Sequence, residues 1–318
     1  SGDTLGVAIR CTQNPSMGEE WRKGWHPEEM NAKRSDATVL IVGAGPAGLE
    51  AASALGKRGY RVTLADDGME LGGRLHREAR LPGMSEYIRV RDYRAQQFYK
   101  LENVKVYLES RLNAKEILAF GADHVALATG AKWRRDRFDG ETYVNIVADG
   151  SNAKIFTPDD IMDGMLPNGP TIVYDEDCYY MGGVIAEKLK IAGIDVTLCT
   201  PSEAVSEWAA KTSERWRIRA HLMKLDIKIK LAHALTNFDG KSATLTCQFT
   251  GNEKQVHTTS IVMVTQRTPR DDLYHKILAL AKNHTKKIPF TLTRIGDCEA
   301  PAIVAAATYA GHRYARQL

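Results

Sequence analysis

The sequence predicts an α/β protein built from two Rossmann-like domains of the FAD/NAD(P)-binding type, the second inserted into the first. Three observations carry this. A glycine-rich turn follows a continuous apolar run near residue 40 and opens an Ala-rich helix. A second strand–helix–strand pattern follows the cluster Leu166-Pro167-Asn168-Gly169-Pro170, a composition that marks a boundary. A late strand, a Gly-Asp turn and an Ala-rich helix then close the chain, as when one domain is completed after another has been inserted. A length of 318 residues suits two domains. The expected division is a linker over 1–35, a nucleotide-binding domain of 36–158 plus 286–318, and a degenerate second domain over 159–285.

Thr38-Val39-Leu40-Ile41-Val42 has no polar alternation, the pattern of a strand covered on both faces. Gly43 to Gly48 follows, then Leu49 to Lys57 in helix-forming residues, stopped by Gly59. Arg61 to Ala65 is the next strand, which completes a β-α-β unit in about 30 residues. Val125 to Gly130 reads as a strand ending in a glycine turn. Thr171–Tyr174, Gly182–Ala192 and Asp195–Leu198 form the second strand–helix–strand unit. Ala232 to Val264 alternates as strands around the Asp239-Gly240 turn, and Thr291–Ile295 precedes a helix over Pro301–Arg316.

Composition excludes several classes. The chain is 43% hydrophobic and 26% charged, an ordinary globular balance rather than a disordered one. Its 43 basic and 39 acidic residues leave +4, spread along the chain, too little to imply nucleic acid or a membrane surface. The longest apolar stretch, Ala300 to Ala310, is far short of the ~20 residues a membrane span needs. Five scattered cysteines make no disulfide framework and point to a reduced, cytoplasmic setting. The chain begins at Ser1 and has no basic-then-apolar start, so a removed upstream portion is expected rather than a signal peptide.

The first glycine turn has the full context of a dinucleotide site. Gly43 permits the tight turn, Gly45 lets backbone approach a pyrophosphate, and Gly48 lets helix and strand pack closely. Ala44, Pro46 and Ala47 complete the cradle at a helix N-terminus, whose N–H groups and dipole favour an anion. Asp66, 23 residues beyond Gly43, stands where a carboxylate accepts from an adenosine ribose; with Asp67 beside it, a 2′-phosphate is disfavoured. The second turn lacks this pattern. Asp175-Glu176-Asp177-Cys178-Tyr179-Tyr180-Met181-Gly182-Gly183 puts three carboxylates where a pyrophosphate would approach, and its second strand ends in Thr200-Pro201 without a ribose-reading acid. NAD(P)H binding is therefore not expected there. Cys178 has no partner at Cys-x-x-Cys spacing, so it, Cys199, Cys247 and Cys298 read as buried structural thiols.

Gly72-Gly73-Arg74-Leu75, Ala128-Thr129-Gly130 and Thr291 to Asp297 resemble, in order, the further motifs of two-dinucleotide FAD domains. Ile9-Arg10-Cys11-Thr12-Gln13-Asn14, Gly24-Trp25-His26-Pro27-Glu28, Arg80-Leu81-Pro82-Gly83, Arg91-Asp92-Tyr93-Arg94 and Gly296-Asp297-Cys298-Glu299-Ala300-Pro301 resemble the trimethylamine dehydrogenase family, including dimethylamine and histamine dehydrogenases. More distantly, the chain resembles 2,4-dienoyl-CoA reductase. The resemblance implies an N-terminal barrel with FMN that oxidises an amine, a 4Fe–4S cluster, and electrons passed to an electron-transferring flavoprotein by a homodimeric enzyme. It also implies that Cys11 is the last of four cluster thiolates, the other three lying upstream of Ser1. A cubane needs four ligands, so neither cluster nor FMN is expected in this chain. Because amine dehydrogenases of this family carry ADP where reductase relatives carry FAD, ADP is the expected ligand, with FAD the alternative.

The expected cofactor residues are thus Gly43 to Gly48, Asp66, Asp67, Gly73, Arg74, Leu75, Thr129, Gly130 and Asp297, with no catalytic residue. Two other functions stay open: a self-sufficient FAD-dependent NAD(P)H oxidoreductase, and a docking module for a redox partner. Trp21, Trp25 and His26 read as packing residues; Lys132, Arg134, Arg135 and Arg137 as a solvated loop; His312 and Arg313 as a cap on the last helix.

Overall fold

The computed structural model describes residues 10–18, 29–138, 143–144, 154–283 and 288–318. Trp21, Trp25 and His26 lie outside them. The chain forms two compact units: one of Ala8–Ala79, Ser85–Ala131 and Pro269–Leu318, the other chiefly of Arg80–Met84 and Lys132–Thr268.

In the first unit the order is β1 (Thr38–Val42), α1 (Pro46–Lys57), β2 (Arg61–Ala65), α2 (Arg74–Glu78), α3 (Arg89–Phe98), β3 (Val104–Tyr107), α4 (Ala114–Ala119) and β4 (His124–Leu127). The chain leaves and returns as a helix Asp272–Asn283, a strand Thr291–Arg294 and a helix Val304–Gln317. The five strands are parallel, in the order Thr291–Arg294, β4, β1, β2, β3, with Val42 level with Ala65 on one side and Leu127 on the other. Alternate β1 residues serve opposite faces. Val39 and Ile41 join Ala51, Leu55 and Tyr314 under α1 and the last helix, while Leu40 and Val42 join Ile117, Ile277 and Phe290. The unbroken apolar run follows from this double covering, each large side chain contributing about 1.5–3 kcal/mol on burial. The last helix approaches α1 so closely that a Cβ on Gly311 would sit 2.2 Å from the Ala47 carbonyl oxygen.

The second unit has its own parallel sheet, ordered Lys228–Lys230, Val196–Cys199, Thr171–Asp175, Ser260–Val264, Lys154–Phe156. A three-stranded antiparallel sheet (His233–Phe238, Ser242–Cys247, Glu253–His257) packs Leu235, Phe238 and Leu245 against Ile172, Tyr174 and Ile261. At its first hairpin the Asp239 carboxylate accepts from the Lys241 and Ser242 amides.

The insertion is as expected, but its limits are 132–268 rather than 159–285. Lys154–Phe156 pairs in parallel with Ser260–Val262 as the edge of the second sheet. The helix Asp272–Asn283 buries Ile277 among Ile117 and Leu127 of the first unit. The segment 10–18, expected as part of a linker, packs on the first unit. The Arg94 guanidinium, 0% exposed, donates to the Gln13 carbonyl at 3.1 Å, and Arg10 lies over the Tyr309 ring. Among the described residues no helix is long and apolar enough to cross a membrane.

Candidate nucleotide site

The Gly43 turn lies at the C-terminal edge of β1, where open parallel sheets take ligands. Gly43 has φ +109°, and a Cβ there would meet the Ala128 carbonyl oxygen at 2.3 Å; one on Gly48 would meet the Gly43 oxygen at 1.9 Å. Both glycines are required by the protein's own packing. Gly45 differs: its φ is −72° and a Cβ would meet nothing within 4 Å. The space above it is open, and α1 begins there with no side-chain cap and no acid in its first turn. Such a helix end presents amides and a positive dipole end to an anion.

Three later turns converge on this one. Gly72 donates to the Ala44 carbonyl at 2.9 Å, and Gly73, at φ +53°, passes close to the Gly45 Cα. The Ala128–Gly130 turn abuts Gly43 and Gly48. Gly296 lies on Ala47 at the first turn of α1, which brings Asp297 to the same end. The Asp66 carboxylate accepts from the Ala44 amide at 2.5 Å and from Gly68 at 2.8 Å, fixing the acid against the glycine turn; Asp67 is exposed. Arg74 donates to the Ala131 carbonyl at 2.5 Å.

Other expected site residues have contacts of their own. Leu75 is 1% exposed, with its side chain in the core. The Thr129 hydroxyl is engaged, donating to the Arg270 carbonyl at 2.6 Å, with the Cys298 sulfur 3.1 Å away. Asp297 accepts from the Ala302 amide at 3.1 Å. His312 does not cap its helix: it is buried, its Nδ1 2.9 Å from Glu50. Glu50 in turn accepts from Arg94 at 2.7 Å. This buried Arg94–Glu50–His312 chain had one sequence signal, an arginine and a glutamate within otherwise packed helices. Arg134 and Arg135 are not a free basic loop; they pair with Asp136 and Asp160.

The second turn is filled by protein. Asp175, 0% exposed, ends its strand with Oδ1 accepting from the Cys178 amide at 2.9 Å and Oδ2 buried without a hydrogen bond. A Cβ on Gly182 would meet the Asp175 carboxyl at 2.4 Å, so the acid lies beneath the start of the following helix. Burial, then the neighbouring Asp177, push its pKa up to about 8. Burial and the adjacent Asp175 likewise push the Cys178 thiol to about 12, away from nucleophilic or redox duty. Cys199 and Cys298 are buried as expected; Cys178 is only partly buried, and so is Cys247. Cys247 lies at a hairpin end, where hydrogen bonds from Thr250 and Phe249 lower its pKa.

Cys11 accepts from the Gln13 amide at 3.4 Å. Among the described residues no three possible metal ligands come together, so the residues present do not fit a 4Fe–4S cluster. The glycine turn fits a nucleotide diphosphate.

The model of the pyridine nucleotide-disulphide oxidoreductase family matches residues 37–293. The chain belongs to that family. It is homologous along its length to the amine dehydrogenases of the trimethylamine dehydrogenase group. It is 35% identical to dimethylamine dehydrogenase from Hyphomicrobium sp. (strain x), covering 98% of this chain and 46% of that one. Histamine dehydrogenase from Rhizobium sp. 4-9 superimposes with a TM-score of 0.93 at 45% identity, over 100% of this chain and 49% of that one. The 6-hydroxypseudooxynicotine amine oxidase from Pseudomonas geniculata N1 gives 0.90 at 40% identity, over 99% and 47%. The chain therefore spans about half the length of the relatives it matches.

Proposed function

We propose that this chain is the adenine-nucleotide-binding portion of an iron–sulfur flavoprotein amine dehydrogenase and holds ADP as a structural ligand. The observation that carries the reading is the uncapped start of α1 above Gly45, with Asp66 fixed beside it. The amides of Gly45, Ala47 and Gly48 receive the diphosphate, Asp66 receives the ribose hydroxyls, and Gly73 leaves room for both. ADP supplies no electron transfer; it completes the first unit. The filled Asp175 turn supports ADP over FAD, since a flavin in this chain would have no bound pyridine nucleotide as its hydride donor.

In this reading an FMN in an N-terminal barrel would supply amine oxidation, and a 4Fe–4S cluster, to which Cys11 would give one thiolate, would supply electron transfer to an electron-transferring flavoprotein. The whole enzyme is a cytoplasmic homodimer, and the portion described here has no catalytic residue of its own. The test is to take the absorption spectrum of the purified chain, denature it, and separate what is released by chromatography. Stoichiometric ADP without visible absorbance is expected. Stoichiometric FAD would overturn the choice of ligand and favour an NAD(P)H-using reductase; bleaching by NADH would complete that case.

A further inference from the structure

The second unit holds a cavity of about 490 Å³ at the edge of its parallel sheet opposite the Asp175 turn. It lies between the starts of Thr171–Asp175, Val196–Cys199 and Lys228–Lys230 and the outer strand Glu253–His257 of the antiparallel sheet. Lys228 and Lys230 alternate along one strand and so share a face; Lys254 reaches the same space from the other sheet. Asp195, the one carboxylate in the lining, is already held by Lys228 at 2.9 and 3.2 Å.

That leaves Lys230 and Lys254 against each other. Both line the same cavity from different sheets, and no other acid lines it. Two like charges in a partly enclosed space repel unless an anion lies between them. Burial, then Lys254, hold the Lys230 pKa below its ordinary value, as an uncompensated pair requires. A single carboxylate balances one charge; a phosphate group balances both, and lysine is a common point-charge ligand for it. The volume exceeds that of a bare phosphate, and Ile172 and Val256 give the remainder an apolar wall.

We propose that this cavity is a binding site for a phosphate-bearing small molecule, its phosphate bridging Lys230 and Lys254. The site is independent of the Gly43 turn and of the ADP reading. Two measurements on the full chain test it. In crystals soaked with tungstate as a phosphate mimic, an anomalous peak is expected within hydrogen-bond reach of both lysine Nζ atoms, and absent from the Lys230→Gln/Lys254→Gln double variant. In solution, inorganic phosphate is expected to raise the melting temperature of the parent chain. The concentration needed should increase about tenfold or more in either single variant, with the circular dichroism spectrum unchanged. A tungstate peak only at the start of α1, or no peak, overturns the proposal. So does a phosphate response that is the same in parent and variants.

Discussion

The two parallel sheets end in turns that meet the same problem in opposite ways. After Val42 the chain turns on Gly43, leaves Gly45 bare and starts α1 uncapped, so the helix dipole faces open space. After Tyr174 the same position on the strand carries Asp175, and its side chain lies under Gly182 where a ligand phosphate would otherwise approach. Both turns follow a buried strand and precede a helix of similar length, 12 residues in one and 11 in the other. The fold of a dinucleotide unit is therefore separable from its site. Topology needs only the apolar strand and the helix behind it, whereas the site needs an absence of side chains at one point.

The largest effect should come from Gly48→Ala. Its Cβ would stand 1.9 Å from the Gly43 oxygen, a backbone atom that cannot swing aside as a side chain would. A loss of about 3 kcal/mol or more is expected in urea unfolding, with nucleotide binding lost as well. A small loss would show that the turn is looser than its packing indicates.

The second turn should respond to Asp175→Asn in a pH-dependent way. The folded chain keeps the Asp175 proton up to about pH 8, whereas the unfolded chain releases it near pH 4. Stability from this group is therefore full below about pH 4, declines as the pH rises, and is gone above about pH 8. The variant should match the parent at pH 4 and exceed it by a margin that widens with each pH unit up to about pH 8, read from thermal unfolding across pH. Equal slopes for the two proteins would mean the carboxyl is ionised in the fold.

Gly45→Ala should barely move stability, by less than about 0.5 kcal/mol, because its Cβ meets nothing and its φ is ordinary. ADP affinity should nevertheless fall about tenfold, since the methyl occupies the approach to the α1 amides. Calorimetric titration checks this, and an unchanged affinity would move the diphosphate away from Gly45. Asp66→Asn is the mildest change in binding: its single oxygen can serve only one of the Ala44 and Gly68 amides, which donate to different oxygens of the acid, and the ribose loses a charge-assisted bond. ADP affinity should fall about fivefold, with a stability loss of about 1 kcal/mol from the amide left without an acceptor.

Much of this was legible in the sequence, because buried strands and glycine turns are local signals. The runs Thr38–Val42 and Thr171–Tyr174, the two following helices and the closing strand and helix stand where the pattern places them. Other elements leave weaker traces. Helix α3 buries only Val90 and Arg94, so it has no apolar stripe to read. Strand β3 lies at the sheet edge and buries only Val104. The helix Asp272–Asn283 does carry Leu273, Ile277 and Leu280 at helical spacing, but which unit it covers is settled by packing on Ile117.

By itself the sequence determined the class, the order of elements and the unequal character of the two turns, since each rests on residues adjacent in the chain. The tertiary structure decided matters that rest on distant residues. It placed Leu75 in the core, gave the Thr129 hydroxyl to Arg270, drew His312 to Glu50, and set the insertion at 132–268. It also joined Lys230 and Lys254 across two sheets. A strand's pattern says that a face is covered, but the identity of the partner that covers it depends on chain closure over hundreds of residues, which no local spacing encodes.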